Sequence, residues 1–240
     1  MTTELEGSSK YHNRSAHQVV VWDLLVRTGH WLLVIFFFVA YFTEDDLLTI
    51  HSWAGYGVSA YIVVRVLWGF VGPRYARFAD FAYGPRTAAL YLRDLIFFKA
   101  KRYLGHSPAG GLMVLLLLLS LAATTVSGMA LLAVEENAGP FVPWLGYKTD
   151  FLETRVAFDL IATPVAADGD ENRGGEDGRR NEKKSEFLEE VHEFFSNLTL
   201  LLVIMHIAGV ALASIVHKEN LARAMVTGRK RSEEPSRRSE

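Results

Sequence analysis

Four long apolar stretches, near residues 19 to 41, 48 to 71, 110 to 134 and 192 to 216, constrain this chain more than any other feature of it. Each reaches the roughly 18 residues needed to cross about 30 Å of hydrocarbon as an α-helix. Inside a bilayer every backbone polar group must find its partner within the chain, so a run of this kind is helical or it does not span. Half of the 240 residues are hydrophobic while the formal net charge is only -2. Charged and apolar residues are therefore segregated, as a membrane chain requires. The expected fold class is all-α: a membrane-embedded four-helix bundle.

Lysine and arginine set the expected orientation. They collect in the N-terminal arm (Lys10, Arg14), in the loop between the second and third runs (Arg74, Arg77, Arg86, Arg93, Lys99, Lys101, Arg102) and in the tail (Lys218, Arg223, Arg229, Lys230, Arg231). The positive-inside rule places these segments, and with them both the N- and C-termini, in the cytoplasm. The turn Glu44, Asp45, Asp46 and the acid-rich stretch from Glu135 to Glu190 then lie outside. No small-residue cleavage pattern ends the first run, so a removable signal peptide is not expected.

Between the runs, residues 81 to 104 interleave Leu90, Tyr91, Leu95, Phe97 and Phe98 with five cations, the pattern of a helix lying in the headgroup region. Residues 150 to 162 fit a short amphipathic helix on the outer face. The polar, glycine-rich insert at 167 to 185 reads as a disordered linker. Residues 1 to 231 form one transmembrane domain on this reading, with 232 to 240 a polar tail.

The chain has no cysteine, which rules out a cysteine-ligated iron-sulfur cluster, a covalently attached c-type haem and disulfides. Any redox centre must be held by histidine. His192 and His206 lie fourteen residues apart in the fourth run. On a helix that is about 21 Å of rise and nearly four whole turns, so the two imidazoles point the same way at two depths. His51 begins the second run at its outer end, level with His192. His30 precedes the outer end of the first run by about a dozen residues, roughly 18 Å, which brings it level with His206. The expected pairs are His51 with His192 and His30 with His206, the arrangement that holds two haem b groups by bis-histidine ligation across a bilayer. Such iron has no open position, which favours electron transfer over oxygen chemistry at the metal. His12, His17 and His106 fall in polar arms or loops, and His217 lies off the face of His206.

A macrocycle between helices needs small neighbours, which Gly29, Gly55 and Gly209 provide. Its propionates need cations. Arg65, fourteen residues after His51, reaches the inner level on the same helix face, and Arg27 is a second candidate one turn from His30. The third run has neither histidine nor charge and reads as a packing wall of small and hydroxyl residues from Ser120 to Gly128, with no chemistry of its own. Two other classes fit less well. A transporter passing a metal ion along the histidines needs a carboxylate-lined path, and the first three runs carry no interior acid; a bare membrane anchor leaves the matched depths of the histidines unexplained.

The run Arg27, Thr28, Gly29, His30, Trp31 resembles the RxxHW signature of the bacterial cytochrome b561 family. His51 with Gly55, then Arg65 to Gly72 and Arg74 to Arg77, looks like the second helix of its nickel-iron hydrogenase-type branch. Gly105 to Pro108 resembles that branch's GHNP turn, and His192 to His206 followed by Lys218, Glu219, Asn220 and Met225 is similar to its fourth helix. The resemblance covers nearly all of residues 19 to 231. It implies a di-haem cytochrome b of the bacterial inner membrane, exchanging electrons between a periplasmic redox partner (a hydrogenase, a c-type cytochrome or another dehydrogenase) and the quinone pool, with quinone meeting the chain near His206 and Arg65. A stand-alone quinone oxidoreductase using a diffusible reductant such as superoxide is the rival within the same class. No nucleic-acid partner is implied, and a homo-oligomer is compatible with the pattern.

Overall fold

The computed structural model describes residues 18–44, 47–146 and 176–232. Four helices in it are long and apolar enough to cross a membrane: α1 (Leu24–Phe42), α2 (Leu48–Val71), α5 (Pro108–Glu135) and the segment Asn181–Val216 of α7 (Glu176–Val216). Short helices α3 (Phe78–Phe81) and α4 (Pro85–Ile96) lie between α2 and α5, α6 (Val142–Leu145) follows α5, and α8 (Leu221–Thr227) follows α7. The chain is an all-α membrane bundle.

The helix starts follow local chemistry. Asp23 caps α1 by accepting from the Val26 backbone N–H at 3.0 Å. Ser107 caps α5 in the same way for Gly110, with Pro108 in the first turn where its missing N–H costs nothing. Along the spans, large apolar residues such as Leu67 and Leu119 stay largely exposed (61% and 70%), which is stable only if lipid is the solvent.

α1 packs on α2, α2 on α5 and α5 most extensively on α7, while α7 stands off from α1 and α2. The apolar centre is Val58 and Ile62 of α2 with Leu121 of α5, against Leu33, Phe36 and Phe37 of α1. Deep between α5 and α7, the hydroxyls of Ser120 and Thr199 bond at 2.7 Å, and Thr124 joins them at 3.2 Å. The two helices that carry His192, His206 and their support are thus locked together, and a cleft remains between α7 and the α1–α2 pair.

Two features depart from the expected layout. Residues Gln18–Val20 (β1) pair antiparallel with Arg229–Arg231 (β2), tying the segments before α1 and after α8 together at one end of the bundle. Gly228, at φ 77°, ends α8 and turns the chain into β2, a conformation glycine adopts without steric cost. Second, α7 already runs as helix from Glu176, where composition predicts a disordered linker to 185. Arg179 with Glu182, and Lys183 with Glu186, have the spacing of helix-stabilising ion pairs, and extending an existing helix needs no new nucleus. The amphipathic helix expected at 150 to 162, the insert before Glu176, the tail after 232, and His12 and His17 all lie outside the described residues.

Within residues 81 to 104 a helix does form, α4, over Pro85–Ile96. It turns Ala88, Tyr91 and Leu95 inward and leaves Leu90, Leu92 and Ile96 exposed. At the same end Arg102 grips Glu219 with two nitrogens, at 2.9 and 3.1 Å, and also donates to the Arg231 carbonyl.

Candidate haem site

The structure sets His51 against His192 across the cleft, and leaves His30 within electrostatic reach of His206. At the outer level the rings of His51 and His192 face each other with centroids 6.0 Å apart and planes at 75°. An imidazole nitrogen lies about 2 Å from a metal it ligates, so two rings sharing one metal have centroids about 6 Å apart. A cavity of about 280 Å³ opens beside them, lined by Gly55, Thr124, Gly128 and Ser196 among others.

Both outer rings are held at Nδ1. His51 Nδ1 lies 2.9 Å from the Ala40 carbonyl of α1, and His192 Nδ1 lies 2.9 Å from the Thr124 carbonyl of α5. A carbonyl only accepts, so each Nδ1 carries the proton and each Nε2 keeps its lone pair. This is the arrangement that orients a metal-binding histidine and raises its basicity. Ser127 completes it: its hydroxyl donates to the Thr124 carbonyl at 3.0 Å and accepts from His192 Nδ1 at 3.2 Å. Gly128 makes the approach feasible, since a Cβ there would come within 2.7 Å of His192 Cε1. The third span is therefore more than the wall that its lack of histidine and charge suggested; its backbone and one hydroxyl orient His192.

At the inner level His30 and His206 are close enough to interact electrostatically. His30 stacks edge-on against Trp31 at 5.3 Å, and its Nδ1 is buried without a hydrogen-bond partner. Arg65 is 4% exposed. It does not snorkel to the surface; its guanidinium lies over Phe78 at 5.2 Å and Phe81 at 5.8 Å, and its Nη1 is buried without a partner. Arg27 is drawn away toward the tail, donating to the Val226 carbonyl.

The glycines divide. A Cβ on Gly55 or on Gly209 would meet nothing within 4 Å, so both border open space on the cleft helices. Gly29 does not; the Tyr61 ring packs where its side chain would be, so it serves the α1–α2 contact. His106 also corrects the expectation of a polar loop residue. Its ring packs against Phe81 at 4.3 Å and Trp22 at 4.6 Å, and its Nδ1 is shielded and unpartnered. Burial first, and then the nearby Arg65, Lys230 and His206, hold its pKa far below the usual histidine value, at about 3. His217 has the structural place expected of it, hydrogen-bonding the Tyr91 hydroxyl at 3.1 Å.

Facing imidazoles whose Nε2 atoms are left free, on helices that stand apart, can hold a metal or a haem, and the family of the chain decides between them. A family model described as prokaryotic cytochrome b561 matches residues 21–228. The chain belongs to the prokaryotic cytochrome b561 family. It is a bacterial multi-pass membrane cytochrome of b type, involved in electron transfer, and haem b is the cofactor of its family. No curated protein and no solved structure gives a significant match. The residues present suit the cytochrome b561 cofactor: outer Nε2 lone pairs left free by Nδ1 bonding, open space at Gly55 and Gly209, and a buried guanidinium lacking a partner for Nη1.

Proposed function

We propose that this cytochrome b561 holds two haem b groups, the outer between His51 and His192 and the inner between His30 and His206, and moves electrons across the bacterial inner membrane between a partner on the outer face and the quinone pool. Haem b supplies a one-electron iron couple at each level. The observation that carries the reading is the outer pair: two rings at metal-sharing distance, each with Nδ1 tied to a backbone carbonyl.

The chain's own part is orientation and insulation. Ala40 and Thr124 fix the tautomers of the outer ligands, and Ser127 with Gly128 holds the His192 ring in place. Held by two imidazoles at each level, a haem iron would have no open position for oxygen, and the group would supply electron transfer alone. The fourteen-residue spacing of His192 and His206 sets the two levels about 21 Å apart along α7, so one internal step covers most of the hydrocarbon. The cation-rich α2–α5 connection and the paired β1 and β2 segments face the cytoplasm on this reading. Quinone meets the chain near His206 and Arg65, and the outer partner is a hydrogenase, a c-type cytochrome or a similar redox protein.

Reduced-minus-oxidised spectra of the purified protein with a quinol analogue test the assignment. Reduction of two haems by the analogue, at a rate that falls when Arg65 is replaced, is expected. Full reduction by dithionite together with no reaction toward quinols would remove quinone from the scheme.

A further inference from the structure

The histidines of the two levels differ in what holds their Nδ1 atoms. At the outer level both are bonded, His51 to the Ala40 carbonyl and His192 to the Thr124 carbonyl, each at 2.9 Å. At the inner level neither is. His30 Nδ1 is buried without a partner, and His206 makes no hydrogen bond among the described residues. A bond from Nδ1–H to a carbonyl makes the opposite ring nitrogen a stronger donor to a metal. A stronger donor favours ferric iron, the form with the greater positive charge, and so lowers the potential of the haem it ligates.

Charge works in the same direction. Among the described residues, the outer cavity is lined by Glu44, Glu135 and Glu136 and by no lysine or arginine. The inner level has Arg65, buried with its Nη1 unpartnered, and Arg27 one turn from His30. Asp23 lies within electrostatic reach of Arg65, but its oxygens are taken by Val26 N–H and Trp68 Nε1, and Arg27 matches its charge. The inner level is left positive where the outer cavity is negative, and a buried charge such as Arg65 is screened far less than one at an open mouth. Positive surroundings favour the reduced iron.

Resting on the two-haem reading, we propose that these contacts make the outer haem the weaker electron acceptor of the two, so that electrons entering at the outer face run inward. One electron passes from the outer iron, which is oxidised, to the inner iron, which is reduced, and no proton moves between them. The donor is then the redox partner at the outer face, and the acceptor is the quinone at the inner level. Gly128 is a positioning residue in this scheme, because it lets the His192 ring reach the Thr124 carbonyl.

The test is a potentiometric titration of purified protein carrying its haems, followed by visible spectra and by the EPR signals of the ferric forms. His192→Leu and His206→Leu assign the outer and inner components. The inner haem should take the electron at least tenfold more readily, a gap of about 59 mV or more. Gly128→Ala, measured with haem in excess, turns the His192 ring off the Thr124 carbonyl; it should raise the outer potential and shift the outer EPR signal alone. Glu136→Gln, which leaves the histidines and their carbonyls untouched, should raise the outer potential by a smaller step. Two haems with the outer potential equal to or above the inner one would overturn the inference and leave the two-haem reading intact. So would an outer potential that neither substitution moves. Wild-type protein with a single haem would overturn that reading itself.

Discussion

His192 donates Nδ1–H to the carbonyl of Thr124 on the neighbouring helix, 2.9 Å away, in the gap left by the missing side chain of Gly128. One backbone oxygen thus fixes which nitrogen of His192 keeps its lone pair.

Gly128→Ala should break this arrangement. Its methyl would stand 2.7 Å from His192 Cε1, so the ring must turn and give up its Nδ1 bond. Loss of an outer-shell partner weakens metal affinity roughly 10- to 100-fold. Haem titration of the apo protein should show the outer site weakened by that order, with the inner site intact. Ser127→Ala, which leaves the Thr124 carbonyl in place, should cost much less.

Arg65 is expected to resist conservative replacement. Its planar group lies over Phe78 and Phe81, a geometry that a lysine ammonium does not reproduce. Arg65→Lys should therefore lower the inner haem potential nearly as far as Arg65→Met, while the outer one stays put. Full recovery by lysine would mean that charge alone matters at this position.

Thr199 is wholly buried and bonds Ser120 at 2.7 Å. Thr199→Val keeps the shape and removes the hydroxyl, leaving Ser120 short of its partner at a cost of about 1–3 kcal/mol. Thermal unfolding in detergent should show that loss; an unchanged midpoint would show that the α5–α7 contact does not depend on the hydroxyls.

Glu219 supplies a pH dependence. Burial pushes its carboxyl upward, but hydrogen bonds from Arg102 and the Arg231 backbone, with the charges of Arg102 and Lys230, outweigh it and hold the pKa below the usual carboxylate value. A carboxylate whose pKa falls on folding stabilises above its unfolded pKa and loses that contribution as pH drops through the folded one. Acidification through and below the ordinary carboxylate range should loosen the α8–β2 segment, read as faster amide exchange there. Glu219→Gln should show the loosened behaviour already at neutral pH.

The meeting of His51 with His192 was legible because the apolar runs mark where each helix ends, which sets both residues at one level. The role of the third span was not, because a carbonyl of Thr124 has no signature in the identity of its residue. His106 was hidden for another reason: its shielding comes from Phe81 on α3 and Trp22 beside β1, which only tertiary folding brings to it. The helical start of α7 was masked by composition, since glycine and charge in the insert outweigh, in any average, the ion-pair spacing from Arg179 to Glu186.

The central claim is that four imidazoles hold two haems at two depths, and haem stoichiometry by pyridine haemochrome tests it most directly. Purified protein should carry two haem b per chain, with His192→Leu and His206→Leu each retaining one and leaving spectra that differ from each other. A single haem in the wild type, or two haems surviving either substitution, would contradict it.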